Sequence, residues 1–184
     1  GPTAQGNAVD IVVGKNIVVE HNTVKGSIHN IYFEGVTDSQ IKANTLEYSN
    51  IAVQSEKGYN HWQEITNPVR NTIADNVIIE PAVQGISVRY DAPKGKMILP
   101  AGANVIQNNT VTRSGKVGII IFAEKDNLVN LPDTVVGNTI VDPFSKKAFA
   151  WNCGYGITQA SAIVVGAGYK TTVADNHVVD TREH

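Results

Sequence analysis

The sequence predicts an all-β fold, a right-handed parallel β-helix of six coils, and three observations lead there. An element of the form aliphatic-x-x-Asn-x-aliphatic recurs six times along the chain. A second short segment of alternating aliphatic residues precedes each copy. No stretch carries the sustained 3.6-residue spacing of an amphipathic helix.

The recurring element reads VEHNTV at Val19 to Val24, IKANTL at Ile41 to Leu46 and IADNVI at Ile73 to Ile78. It returns as IQNNTV at Ile106 to Val111, VVGNTI at Val135 to Ile140 and VADNHV at Val173 to Val178. Its asparagines are Asn22, Asn44, Asn76, Asn109, Asn138 and Asn176, spaced 22, 32, 33, 29 and 38 residues apart. The preceding segments begin at Val9, Ile31, Ile51, Ile86, Ile119 and Ile163. Four aligned columns, six deep, give 24 positions, and all hold Val, Ile or Leu except Phe33. Against a hydrophobic background of 42%, that regularity marks a structural repeat.

Within each segment the period is two, so these are strands with one buried face. Units that return the same aliphatic residue to the same position stack in register. Each coil then adds one strand to each of three parallel sheets, about 4.8 Å above the last. The asparagine falls between the second and third strands, where a sharp bend calls for a left-handed residue. Asn tolerates that conformation better than most residues, and its amide can bond to the Asn one coil away. The unit boundaries place a lead-in at 1–8, the β-helix domain at 9–180 and a short tail at 181–184.

The Asn column between short strands, with its preceding Gly-Ile or Asn-Ile strand, resembles the pectate-lyase-like right-handed β-helix superfamily. That group includes polysaccharide lyases, glycoside hydrolases, uronan epimerases and phage tailspikes. The resemblance spans nearly the whole chain and implies a fold and a carbohydrate-related role. No signature of a single member family is found, the Asp-Pro-His-Asp motif of mannuronan epimerases included. Fold alone does not specify activity.

Composition excludes several classes. A net charge of −2 without a basic block argues against a nucleic-acid partner, because such surfaces gain affinity by neutralising many phosphates. No apolar run approaches the roughly 20 residues that span a bilayer, so no membrane partner is expected. Cys153 is the single cysteine, which excludes an internal disulfide and a multi-cysteine zinc site. Gly1-Pro2 has the look of a pair left by tag cleavage, so an export signal is not to be read from this end. Asn108-Asn109-Thr110 fits the glycosylation sequon. An extracellular, cell-surface or virion setting is what the resemblance implies.

The connection from first to second strand is short in coils one, two and six. It is long in coils three, four and five, at Gln54 to Thr72, Arg89 to Val105 and Phe122 to Thr134. A further insertion, Val141 to Ala162, precedes the last first strand. Long loops on a rigid scaffold are where function concentrates, and these would turn the first sheet into a groove. One outward column there holds Glu34, Gln54, Arg89 and Phe122. The column two residues further holds Glu56, Asp91 and Glu124. Three stacked acids would lie about 5 Å apart between neighbours and about 10 Å across the set, separations that bracket the needs of retaining and inverting glycosidases. Repulsion between close carboxylates would raise one pKa and supply a general acid.

Glu56, Asp91, Glu124 and Arg89 are therefore the candidate catalytic residues. Arg89 suits a sugar carboxylate, and in a lyase it would neutralise the uronate, with Lys94 or Lys96 assisting proton abstraction. Glu34, Gln54, His61, Trp62, Tyr90, Trp151 and Tyr155 are the candidate substrate contacts, the aromatic members as stacking platforms. His29, His21 and His177 are read as structural. No cofactor is expected, the one open position being a calcium ion between Glu56 and Asp91. The expected partner is a polysaccharide, cut by a hydrolase or a lyase. The alternative is a non-catalytic segment of a phage tailspike or bacterial surface protein that binds glycan or serves as a spacer. Neither end of the stack shows a capping unit. The chain is expected to be part of a longer one, or to hide its open coils by association of copies end to end.

Overall fold

The computed structural model describes residues 6–26, 31–55, 66–91, 100–123, 129–144, 161–166 and 168–182. Among these, all regular elements are strands, and they form three parallel sheets of six strands each. The chain is a right-handed parallel β-helix of six coils. Its first sheet comprises Val9–Val12, Ile31–Glu34, Ile51–Gln54, Gln84–Tyr90, Val117–Ala123 and Ser161–Gly166. Ile31 pairs with Val9 and Ile51, Ile86 with Ile51 and Ile119, and Ile119 with Ile163. The second and third sheets repeat the same order, so each coil lies on its sequence neighbour throughout.

The four aliphatic columns are the core. In coils two to five their sixteen members, Ile31, Phe33, Ile41 and Leu46 among them, are fully buried. Each such side chain contributes about 1.5–3 kcal/mol by leaving water, and a shift of one residue would turn a strand's aliphatic set outward. The Gly-Ile pairs have a packing cause. A Cβ on Gly85 would sit 2.5 Å from Val111 Cγ1, and one on Gly118 would sit 2.8 Å from Ile140 Cγ2. In coils four and five only glycine lets the third sheet close against the first.

The asparagine column forms a continuous amide ladder. Asn109 Nδ2 lies 2.9 Å from Asn138 Oδ1, which also accepts the Asn109 main-chain N–H at 3.0 Å. The same Nδ2 reaches back to the carbonyl of Ile73 in the preceding coil at 2.9 Å. Equivalent contacts run from Asn22 through Asn44, Asn76 and Asn138 to Asn176. One expectation needs correcting. The left-handed residue of the bend is not the asparagine but the one before it: His21, Ala43, Asp75, Asn108, Gly137 and Asp175, with φ between 53° and 65°. That corner residue faces outward and varies in type, whereas the asparagine must turn its amide inward to meet the ladder.

A second buried ladder stands at the turn between the first and second sheets. Ser39 Oγ accepts the N–H of Ile17, Asn71 Oδ1 that of Ser39, Asn104 Oδ1 that of Asn71, and Asp133 Oδ1 that of Asn104, all at 2.8–3.1 Å. Gly102 at the same turn has φ +109°, and a Cβ there would lie 2.1 Å from the Leu131 carbonyl oxygen.

The two accounts of the asparagine bend separate experimentally. Asn109→Gly would relieve strain if Asn109 carried the left-handed bend, but it deletes the ladder amide. We expect it to destabilise by roughly 2–4 kcal/mol, the cost of orphaning several buried polar groups. Asn108→Gly, at φ 54°, should be neutral or stabilising by up to about 1 kcal/mol. Urea unfolding midpoints check both, and a neutral Asn109→Gly would mean the ladder contributes nothing.

Candidate functional site

The outward column foreseen at the C-terminal ends of the first-sheet strands is in register. Val12 pairs with Glu34, Glu34 with Gln54, Gln54 with Arg89, Arg89 with Phe122 and Phe122 with Gly166. Glu34, Gln54, Arg89 and Phe122 are all half-buried. The Gln54 amide donates to the Tyr32 hydroxyl of the coil before. Phe122 leans over Gly166, where an added Cβ would lie 3.2 Å from the ring.

The neighbouring outward column, two residues back, is not open to solvent. Ala52, Ser87 and Ile120 are only 8%, 5% and 1% exposed, yet none belongs to the core cluster. Over coils three to five the middle of the sheet's outer face is therefore shielded. What the first sheet presents to solvent there is its edge, where the extended connections depart. Those connections span 55–71, 91–104 and 124–133, against 13–17, 35–39 and 167–171 in the other coils.

Asp91 stands at that edge but is buried. Its Oδ1 accepts from Arg89 Nε at 2.6 Å, and its side chain is fully shielded while that of Arg89 is one-quarter exposed. The Asp91 main-chain N–H donates to Ser55 Oγ at 3.1 Å, and the Ser55 hydroxyl donates to Asn67 Oδ1 at 2.6 Å. The two ends of the coil-three connection are thus tied together, and to coil four, beneath the site. Sequence reading missed Ser55 and Asn67. Their signal is positional only: each sits just inside a long connection, and both are buried.

Glu56, Glu124, His61, Trp62, Lys94, Lys96, Trp151 and Tyr155 lie outside the described residues, as does the Glu56 side of the calcium position. Among the described residues no group of three or more His, Cys, Asp or Glu side chains is placed to hold a metal ion.

Tyr90 is a correction. By alternation it faces inward, and it is fully buried, so its ring has no surface to offer a glycan. Its hydroxyl donates to the Asp133 carboxylate at 2.8 Å and accepts from Asn104 Nδ2 at 2.7 Å. Burial pushes the Tyr90 hydroxyl well above its ordinary pKa, and the Asp133 charge adds to the shift, so it stays protonated as a donor. Burial also holds the Asp133 carboxyl above its ordinary 3.8, opposed by the hydrogen bonds from Asn104 and Tyr90.

A pH dependence follows. A carboxyl whose folded pKa is raised binds more protons in the folded chain than in the unfolded one. Its contribution to stability is full below about 3.8 and falls as pH rises through the folded value. Asp133→Asn removes that titration. Comparing unfolding midpoints of the two proteins from acid to neutral pH, we expect the wild type to lose ground relative to the variant as pH rises. Parallel profiles would contradict it.

Comparison with protein-family models, with curated proteins and with solved structures finds no match.

Proposed function

We propose that the chain is a polysaccharide-active β-helix module, a glycoside hydrolase or polysaccharide lyase, binding an extended glycan along the first-sheet edge over coils three to five. The observation that carries this reading is the in-register column of Glu34, Gln54, Arg89 and Phe122 on four consecutive coils. Its rows are about 4.8 Å apart, so an extended chain crossing the coils meets a new side chain at each row. A guanidinium beside an aromatic ring suits an acidic sugar, the one contacting carboxylate and hydroxyl oxygens and the other the apolar face of the ring. The long connections of the same three coils leave from this edge, which supports placing the site there. Asp91 is committed to Arg89, so in the hydrolase version the acid and the base or nucleophile fall to Glu56 and Glu124. In the lyase version Arg89 neutralises the uronate while Lys94 or Lys96 assists proton abstraction.

A second reading is a glycan-binding segment without catalysis, from a tailspike or surface protein. The Arg89–Asp91 pair favours it, because a shielded carboxylate paired with the arginine of its own strand is not available as an acid or base.

A panel of neutral and acidic polysaccharides separates the readings. Reducing ends alone indicate a hydrolase, and reducing ends with ultraviolet absorbance of unsaturated uronates indicate a lyase. Glu56→Gln and Glu124→Gln should then each lower hydrolysis by about two to four orders of magnitude. Phe122→Ala should weaken binding about tenfold, a loss near 1.4 kcal/mol, with folding intact. Binding without cleavage selects the second reading. A panel that is neither bound nor cut overturns both.

A further inference from the structure

Four of the six coils carry threonine directly after the ladder asparagine: Asn22-Thr23, Asn44-Thr45, Asn109-Thr110 and Asn138-Thr139. An N-linked glycosylation sequon needs asparagine, then any residue but proline, then serine or threonine. Such a coil becomes an acceptor sequence when its corner residue, the one before the ladder, is itself asparagine. The corner residues of those four coils are His21, Ala43, Asn108 and Gly137. Coil four alone meets the condition, and Asn108-Asn109-Thr110 is the one sequon in the chain.

Its two asparagines have opposite surroundings. Asn109 is fully buried, and its Nδ2 donates to Asn138, Ile73 and Gln107, so a sugar on it would break the ladder. Asn108, which the sequon makes the acceptor, is exposed. Its main chain holds the left-handed bend at φ 54°, and its N–H donates to the Val136 carbonyl at 3.1 Å. Its side-chain amide makes no hydrogen bond among the described residues. In the next coil the same corner is Gly137, where a Cβ would lie 2.6 Å from Asn108 Oδ1. The missing side chain there gives the Asn108 amide its room. Thr110 alternates with the inward Val111, so its hydroxyl belongs to the outer face of the third sheet, half-buried.

We propose that Asn108 is the acceptor of an N-linked glycan carried on the outside of coil four. In the transfer, Asn108 Nδ2 bonds to the anomeric carbon of an oligosaccharide held on a polyprenyl diphosphate. The bond between that carbon and the phosphate oxygen breaks, its electron pair leaves with the lipid diphosphate, and the amide releases one proton. The Asn108 amide takes no part in the ladder, so its modification leaves every buried polar group with its partner. The corner joins the second and third sheets, and the first sheet takes no part in it. A glycan there leaves the first-sheet edge uncovered, and the inference does not depend on what that edge binds.

Expression of the whole chain behind a secretion signal in a eukaryotic host tests this, with peptide mass spectrometry before and after treatment with peptide N-glycosidase. The protein recovered from medium and cells together should carry a glycan at Asn108, and its enzymatic release should convert that residue to aspartate. Asn108→Gln and Thr110→Val should each abolish the added mass. Circular dichroism should be the same for the glycosylated and the enzyme-treated chain. An unmodified Asn108 overturns the proposal. So does added mass that persists in Thr110→Val, or a glycosylated chain that has lost its β-sheet spectrum.

Discussion

A stacked coil must turn three times without stranding polar groups inside, and the buried amide ladder is how this chain does so at one of its corners. Each bend brings main-chain N–H and C=O groups into the interior, where an unpaired one costs about 1–3 kcal/mol. An asparagine amide has a donor and an acceptor on one short arm. It therefore satisfies the bend of its own coil and hands the same unmet need to the next. Asn44, Asn76, Asn109 and Asn138 are buried because of this, and their contacts repeat at 2.9–3.0 Å. The ladder also fixes register: slipping one coil by a residue would break a bend and turn that coil's four aliphatic side chains outward at once. A second corner reaches the same end with mixed chemistry, Ser39, Asn71, Asn104 and Asp133 each supplying an acceptor.

That contrast explains what could be read in the sequence. The asparagine column and its flanking aliphatics are identical in type and fixed in spacing, so the strands, their pairing and the inward set were all visible. The second ladder was not, because it uses three residue types and follows connections of unequal length. Aligning backwards from the second strands would have found it, since Ser39, Asn71, Asn104 and Asp133 directly precede Gln40, Thr72, Val105 and Thr134. The left-handed residue was misplaced by one for a related reason. A corner residue that points to solvent has no packing partner to select its type, so His, Ala, Asp, Asn and Gly all occur there and leave no column.

Less of the candidate site was readable than of the fold. The order Glu34, Gln54, Arg89, Phe122 followed from strand register and holds. The depth of the next residues did not follow, because alternation says which way a side chain points and not what covers it. Asp91 points outward and is nevertheless shielded and paired with Arg89. Tyr90 points inward, and its hydroxyl is kept in the interior by Asp133, whose carboxylate needs donors there. A tyrosine between an arginine and an aspartate looks like a binding residue in sequence, but here it completes a buried polar cluster.

On the outer face of the first sheet the middle and the strand ends differ in depth. Ala52, Ser87 and Ile120 point outward in consecutive coils and are almost inaccessible, so a ligand lying across the middle of that face would have to displace what covers it. Two residues further along each strand, exposure returns at Gln54, Arg89 and Phe122, where the enlarged connections also begin. Because the coils repeat at a fixed spacing, insertions 30 or so residues apart in sequence emerge one above another. A solenoid thereby sets the starting points of separate lengthenings of the chain in one line. The ladder fixes the spacing of those starting points, and the column beside them, Glu34, Gln54, Arg89 and Phe122, follows the same spacing because it belongs to the same strands.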